Sequence, residues 1–108
     1  MAQYLVQVAY TPEAVATLVN NPQDRLAVVS KSVKKLRGKL IGGWLCFGDF
    51  DTVVIIQLPD NTAAAAFALA LGAGGACKSV KTTPLMSVGE GLEAMKTAAT
   101  IGYKPPTA

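Results

Sequence analysis

The most constraining feature of the sequence is a tight acidic turn that leads directly into a continuous apolar segment. The turn contains Gly48 and Asp49, and the apolar segment covers residues 53–56. Glycine and aspartate favour tight turns, because glycine adopts positive φ angles and the aspartate side chain binds neighbouring amides. A short run of β-branched residues bounded by a turn is typical of a central strand that is buried on both faces. The sequence therefore predicts a sheet with residues 53–56 at its centre.

Three other segments are predicted to be strands. Residues 39–47 form one, interrupted at Gly42 and Gly43, where a bulge is expected. Residues 76–83 form another, and residues 3–10 alternate between two faces. One face of the segment 3–10 would carry Tyr4, Val6, Val8 and Tyr10, and the other Gln3, Leu5, Gln7 and Ala9.

Helix signals lie between these strands. Thr11 can cap a short helix that begins at Pro12, and Asn21 before Pro22 repeats the same pattern. The second helix would end at Gly38, and a third would begin near Asp60. Ser87 and Glu90 have the spacing of a capping box for a last helix. The stripes expected to face the protein interior are Leu26, Val29, Val33 and Leu36 in the second helix and Val88, Leu92, Met95 and Ala99 in the last.

Length and composition indicate a single domain that associates with itself. The 108 residues support one domain, predicted over residues 1–100, with a loose tail at 101–108 that contains Pro105 and Pro106. Apolar residues make up 51% of the chain and charged residues only 16%. Because this ratio is high for a soluble monomer, we expect a second copy to cover part of the surface, as in a homodimer or a higher homo-oligomer.

Charge and hydropathy exclude several classes of partner. The net charge of +3 is too small for the basic stripe of a nucleic-acid-binding protein, so no nucleic-acid partner is expected. No apolar stretch approaches 18 residues, which predicts no membrane partner and a cytoplasmic protein. Cys46 and Cys77 are expected to be reduced thiols.

Conventional catalytic motifs and cofactor motifs are not found in the sequence. The chain has no histidine, which excludes histidine-based triads and histidine metal sites. Two cysteines at this separation do not make a zinc site, and the glycines at 72, 74 and 75 follow a predicted helix, whereas phosphate-binding loops precede one. We therefore expect neither a metal nor a cofactor.

The acidic turn and several other segments resemble the GYD-domain family of small bacterial and archaeal proteins. The matching segments are Phe47-Gly48-Asp49-Phe50-Asp51-Thr52-Val53-Val54-Ile55-Ile56, Tyr10-Thr11-Pro12, Asn21-Pro22-Gln23-Asp24-Arg25, Ala64-Ala65-Ala66-Phe67-Ala68-Leu69 and Lys81-Thr82-Thr83-Pro84-Leu85. Phe50 stands where the family usually has tyrosine, so the phenolic hydroxyl of that position is absent here. The resemblance implies a dimeric αβ-barrel, in which two sheets pack face to face.

The order of elements predicts the same fold class independently. Strand, helix, strand, strand, helix, strand is the split βαβ arrangement of an α+β, ferredoxin-like domain, here with an added C-terminal helix. Its four-stranded antiparallel sheet has helices on one face only. If the alternations of two strands align, the open face carries Gln3, Leu5, Gln7, Val53, Ile55 and Gln57. Such a half-apolar face requires a cover, which a second sheet would provide.

Candidate ligand-binding residues lie on this open face, on the second strand and at the acidic turn. They are Gln7, Trp44, Cys46, Asp49, Asp51 and Gln57. Each has an alternative structural role. The two aspartates could act as a general base or bind a cation, but they are also common turn formers. Trp44 could line a pocket or pack in the core, and Cys46 could be a nucleophile or a buried thiol.

Polar side chains on the predicted strands leave further alternatives open. Gln7 and Gln57 could orient a ligand, pair with each other or pair with the opposite subunit. Lys78 and Lys81 point to opposite faces of their strand, so at most one faces the ligand cavity. Five further basic residues cluster near the end of the second helix: Lys31, Lys34, Lys35, Arg37 and Lys39. They could form a basic patch, but lysine near a helix end is favourable without a partner.

Three functions fit these residues. The first is a cytoplasmic homo-oligomer whose sheet faces enclose a small-ligand cavity, acting as a binding or stress-related accessory module. The second is a cofactor-independent isomerase or monooxygenase-type enzyme, which the dimeric αβ-barrel class commonly supports. The third is a purely structural assembly protein. The fold is compatible with all three, and a polar-lined cavity rather than a filled interface would distinguish the first two from the third.

Overall fold

Four strands and four helices are formed in the computed structural model, which describes residues 1–107. The strands are β1 (Ala2–Tyr10), β2 (Lys39–Leu45), β3 (Thr52–Leu58) and β4 (Cys77–Leu85). The helices are α1 (Pro12–Asn20), α2 (Arg25–Lys35), α3 (Asn61–Ala73) and α4 (Val88–Ala98). The strands form one antiparallel sheet in the order β2-β3-β1-β4. The predicted α+β, ferredoxin-like fold with a C-terminal helix is confirmed.

Side-chain caps fix the beginnings of the helices. Thr11 Oγ1 accepts from the Ala14 N–H at 3.1 Å, and Ser87 Oγ accepts from the Glu90 N–H at 3.1 Å, as predicted. The predicted cap at Asn21 is wrong. The Asn21 N–H donates to the Thr17 carbonyl and closes α1, while the Asp24 carboxylate caps α2 by accepting from the Leu26 N–H at 2.9 Å. A carboxylate is an equally good N-cap, and the segment around Pro22 links the two helices.

The hydrophobic core lies between the sheet and two of the helices. Its buried members are Tyr4, Val6, Val8, Val33, Val54, Ile56, Leu58, Ala64 and Phe67. The predicted stripe of α2 is confirmed, because Val33 is fully buried and the other three positions pack against the core. Gly43 allows α2 to approach β2, since a Cβ there would lie 2.8 Å from Leu26 Cδ2. The helix layer is thus held close to one edge of the sheet.

The end of α2 differs in detail from the predicted glycine stop. Arg37 adopts the left-handed conformation, with φ of 63°, and Gly38 donates its N–H to the Val33 carbonyl. Gly38 is required for another reason: a Cβ at this position would clash with the Gln57 carbonyl oxygen and the Leu58 side chain. The expected bulge in β2 is present, but the register shifts between Leu40 and Gly42, one residue before the predicted position.

The opposite face of the sheet carries no helix in the single chain. Gln3 lies opposite Gln57, Leu5 opposite Ile55, and Gln7 opposite Val53, which confirms the predicted alignment of β1 and β3. We call this surface, with Trp44 on β2, the open face. Leu5, Val53 and Ile55 remain partly exposed on it. The prediction that the central strand is buried on both faces is therefore wrong for the single chain.

The sequence predicts that an apolar stripe of α4 packs against its own chain, and this prediction is wrong. Val88, Leu92 and Met95 are 82%, 51% and 69% exposed, so the stripe expected to face inward faces solvent. The helix-covered side of the sheet is already filled by α2 and α3, and α4 follows an edge strand. The radius of gyration is 17.3 Å, whereas a compact domain of this length has about 13 Å. The projecting α4 contributes to this excess.

The described part of the predicted tail has no regular secondary structure. Residues 102–107 form no helix or strand. The last residue of the predicted tail, Ala108, lies outside the described residues. The domain boundary at residue 100 stays a prediction.

Candidate ligand-binding site

A cavity of about 480 Å³ lies between the helix layer and the covered face of the sheet. Buried strand residues such as Val6 and Val54 form its floor. Ala14 of α1, Ala70 of α3 and Ala76 before β4 line its walls, and these short side chains leave the space unfilled. Ligand sites commonly have volumes of roughly 300–1,000 Å³. The cavity is therefore large enough for a small organic molecule.

A pair of hydroxyl groups lies on the strand side of this cavity. Tyr10 OH and Thr52 Oγ1 are 3.0 Å apart, and both residues line the cavity. Thr52 is 3% exposed, so its hydroxyl has little access to water. The bond satisfies a buried polar group and fixes the ring of Tyr10 at the end of β1.

Arg25 carries the one charge among the residues that line the cavity. Its guanidinium donates through Nη1 to Gln23 Oε1 at 3.2 Å, and Gln23 Nε2 donates to the Asn21 carbonyl at 3.2 Å. The segment between α1 and α2 thus orients the guanidinium. Within residues 1–107, Arg25 forms no ion pair with a carboxylate.

Cys77, at the start of β4, adds a thiol to the cavity wall. Burial raises the pKa of the Cys77 thiol, and the positive charge of Arg25 acts in the opposite direction and lowers it. The net effect is upward, so the thiol is protonated at neutral pH. A protonated thiol is a poor nucleophile, and here it serves as a small, weakly polar part of the wall.

The sequence-predicted site residues lie elsewhere, partly as a row across the open face. Trp44, Val53, Gln7 and Lys81 are consecutive cross-strand neighbours in this row. The indole of Trp44 lies over Gly42, where an added Cβ would be 2.8 Å from Cη2. Gln57 is opposite Gln3, toward the other end of β3, so Gln7 and Gln57 are not cross-strand neighbours within one chain. Of the two lysines considered for a cavity, Lys81 shares the face of Gln7.

The acidic turn joins β2, β3 and β1 through hydrogen bonds. Asp51 Oδ2 accepts from the Tyr10 N–H at 2.8 Å, and the Asp51 N–H donates to the Val8 carbonyl at 2.8 Å. Cys46 Sγ donates to the Phe50 carbonyl at 3.2 Å. Gly48 has φ of 118°, which suits glycine, and Asp49 is exposed. Through these bonds Asp51 stabilises the turn, which is the common role of aspartate at such a position.

None of the six predicted site residues lines the cavity. The structure brings Gln7 and Trp44 into one row and Cys46 next to the Asp51 turn, while Gln57 is apart from both groups. A ligand site on the open face stays a prediction. Sequence reasoning missed Arg25, Thr52 and Cys77 as site residues. The sequence held one signal. Arg25 lies in the first turn of α2, where a basic residue is unfavourable next to the positive end of the helix dipole.

Metal-ligating clusters and membrane-spanning helices are both absent from the described part of the chain. No three histidine, cysteine, aspartate or glutamate side chains among residues 1–107 come together as a metal site. None of the helices described here combines the length and hydropathy needed to cross a bilayer.

Comparison with known proteins supplies the family. The search against curated proteins gave no significant match. The family model described as the GYD domain matches residues 4–95. This match includes the acidic turn, β1 from Tyr4 onward, the other three strands and the cavity-lining residues. The chain therefore belongs to the GYD-domain family.

Proposed function

We propose that this protein binds a small organic molecule in the cavity between α1, α2, α3 and the sheet. The observation that carries the proposal is the composition of the cavity wall. An apolar floor containing Val6, Val54 and Phe67 is combined with a few convergent polar groups, from Tyr10, Thr52 and Arg25. This combination is typical of ligand sites, in which apolar surface supplies affinity and a few polar groups fix orientation.

The residues that line the cavity are better suited to binding a ligand than to nucleophilic catalysis. Burial keeps the Cys77 thiol protonated, and the Tyr10 and Thr52 hydroxyls are bonded to each other. No histidine is present to act as a base. The alternative of a cofactor-independent isomerase or monooxygenase-type enzyme would need its proton-transfer group to come from the ligand itself or from a second subunit.

A purely structural assembly protein is the third function, and the cavity speaks against it. Side chains in protein interiors interdigitate at a density that leaves few voids larger than a water molecule. The space of about 480 Å³ is a groove open to solvent, lined by the buried Val6 and Val54 and by the exposed Ala70 and Ala76, and part of its apolar wall has no packing partner. A ligand that fills the space would supply this packing. A purely structural protein gains nothing from leaving the space unfilled.

We also propose that the protein is a homodimer in which the open faces of two copies pack together. Leu5, Val53 and Ile55 form an apolar centre on this face, next to Trp44, which is 56% exposed. The same surface on a second copy is the matching cover, because a two-fold axis pairs a patch with itself. The two free thiols, Cys46 and Cys77, are compatible with the reducing cytoplasm, where we expect the dimer to act.

Helix α4 supports the same proposal through a second surface. Its exposed stripe of Val88, Leu92 and Met95 has the three- and four-residue spacing of a packed helix. Exposed apolar residues at this spacing are unfavourable in water and favourable against another chain. In the dimer, α4 would extend over the partner, which also accounts for the elongated shape of the single chain.

The cavity proposal is tested by native mass spectrometry of the purified protein and of two matched variants. Ala14 lines the cavity, whereas Ala16 on the same helix is exposed and does not. We expect the parent protein to carry an additional small-molecule mass, Ala14→Phe to lose it, and Ala16→Phe to retain it. An adduct that survives in a folded Ala14→Phe protein would contradict a ligand in this cavity.

A further inference from the structure

We infer that the ligand of the cavity is an amphipathic anion whose carboxylate or phosphate group binds the Arg25 guanidinium. This inference rests on the proposed function, since it assigns the chemical class of the molecule that the cavity holds. The apolar part of such a ligand would lie on the floor formed by Val6, Val54 and Phe67.

The charge of Arg25 is unbalanced within the described chain. The side chain is partly buried at the cavity and has no carboxylate partner among residues 1–107. A guanidinium offers five N–H donors in a planar fork, of which the bond to Gln23 uses one. Removing a cation from water without a partner is costly, and an anionic ligand would supply the charge and the acceptors together.

The carboxylate that precedes Arg25 in the chain already caps a helix. Asp24 Oδ1 accepts from the Leu26 and Ala27 N–H groups at 2.9 and 3.4 Å and forms no ion pair with Arg25. The chain itself therefore leaves the guanidinium free for an external anion.

Gln23 also lines the cavity, and it connects Arg25 to the backbone at Asn21 through two solvent-exposed hydrogen bonds of 3.2 Å. These bonds favour one orientation of a long, flexible side chain before any ligand arrives. Preorganisation of this kind reduces the entropy that binding would otherwise lose.

Cys77 lines the same cavity as Arg25. Burial raises the pKa of this thiol, and the Arg25 charge acts in the opposite direction and lowers it. The charge of Arg25 is thus directed into the cavity as well as into solvent.

The test compares three probes that share one alkyl chain and differ in the head group: octanoate, octanol and octylamine. Their affinities are measured by isothermal titration calorimetry with the full chain, with Arg25→Gln and with Arg25→Lys. Lys31→Gln is the control, because Lys31 lies on the same helix, is exposed and does not line the cavity. Circular dichroism and melting temperature establish that each variant is folded.

We expect octanoate to bind the parent protein at least about tenfold more tightly than octanol, as a charge-assisted hydrogen bond would provide. Arg25→Gln should abolish the preference for octanoate over octanol, and Arg25→Lys should retain part of it. Lys31→Gln should behave as the parent protein does.

Two results would overturn the inference and leave the cavity proposal intact. One is equal affinity of the parent protein for octanoate and octanol, and the other is an unchanged preference in Arg25→Gln. The absence of binding by all three probes would instead contradict the proposed function, and the inference with it.

Discussion

The Tyr10 hydroxyl lies 3.0 Å from Thr52 Oγ1, and this bond connects the end of β1 to the start of β3 at the wall of the cavity. The backbone N–H of the same tyrosine donates to Asp51 Oδ2. One residue thus joins the acidic turn, the sheet and the cavity. The family motif therefore has a structural consequence that reaches the proposed binding site.

The first prediction concerns this hydroxyl pair. Tyr10→Phe leaves the buried Thr52 hydroxyl without its partner, which should lower the free energy of unfolding by about 1–3 kcal/mol. Urea denaturation measures the change. Tyr103→Phe is the control, since Tyr103 is 73% exposed and should give no change.

A double variant tests the mechanism of that loss. Tyr10→Phe with Thr52→Val removes both polar partners and should be closer in stability to the parent protein than Tyr10→Phe alone. If the double variant loses the sum of the two single effects, the two hydroxyls act independently and the bond has no net energetic role.

The sequence predicts most of the fold because each element has a local cause. The caps at Thr11 and Ser87 and the alternation of β1 depend on neighbouring residues and are correct. The cap at Asn21 is wrong because Asp24, three residues later, offers an equally good acceptor. Local patterns do not decide between two such competitors.

The features that the sequence could not predict depend on distant packing. The periodicity of α4 is real, but it does not specify whether the helix packs on its own chain or on another. The cavity arises where Ala14, Ala70 and Ala76, from three separate segments, meet. No spacing within one segment reveals such a meeting, so the sequence points to the open face, the second strand and the acidic turn instead.

The second prediction concerns the acidic turn. Asp51→Asn keeps an oxygen acceptor for the Tyr10 N–H, so the free energy of unfolding should change by less than about 1 kcal/mol. Asp51→Ala removes the acceptor and should cost about 1–2 kcal/mol. Chemical denaturation of both variants, with the exposed Asp49→Ala as control, measures these effects. Loss of ligand binding in Asp51→Asn at an unchanged melting temperature would show that the carboxylate acts on the ligand.

The third prediction concerns assembly. Leu5 lies opposite Ile55 at the centre of the open face, and a lysine there would place a charge between the two sheets. We expect sedimentation equilibrium to give a dimer at micromolar concentration for the parent protein, and dissociation or aggregation for Leu5→Lys. Ala65→Lys, an exposed position on α3, should remain dimeric. A parent mass near 11.2 kDa, the mass of one chain, would contradict the proposed dimer.

The fourth prediction concerns the pH dependence of Cys77. Burial raises its pKa and Arg25 lowers it, so Arg25→Gln should raise the pKa further. Because the thiolate is the reactive form, the pH profile of iodoacetamide alkylation should shift to higher pH in this variant. The measurement uses a Cys46→Ser background, in which Cys77 is the remaining thiol. An unshifted profile would show that the charge of Arg25 does not reach the thiol.

A map of amide chemical shifts during titration with octanol shows whether the ligand lies in the cavity between the helices and the sheet. The neutral probe makes this measurement independent of the role of Arg25. We expect the largest shifts at cavity residues such as Thr17, Thr52 and Ala70, and small shifts on the open face. Shifts concentrated at Gln7, Trp44 and Gln57, with the cavity residues unchanged, would contradict the account and place the site on the open face.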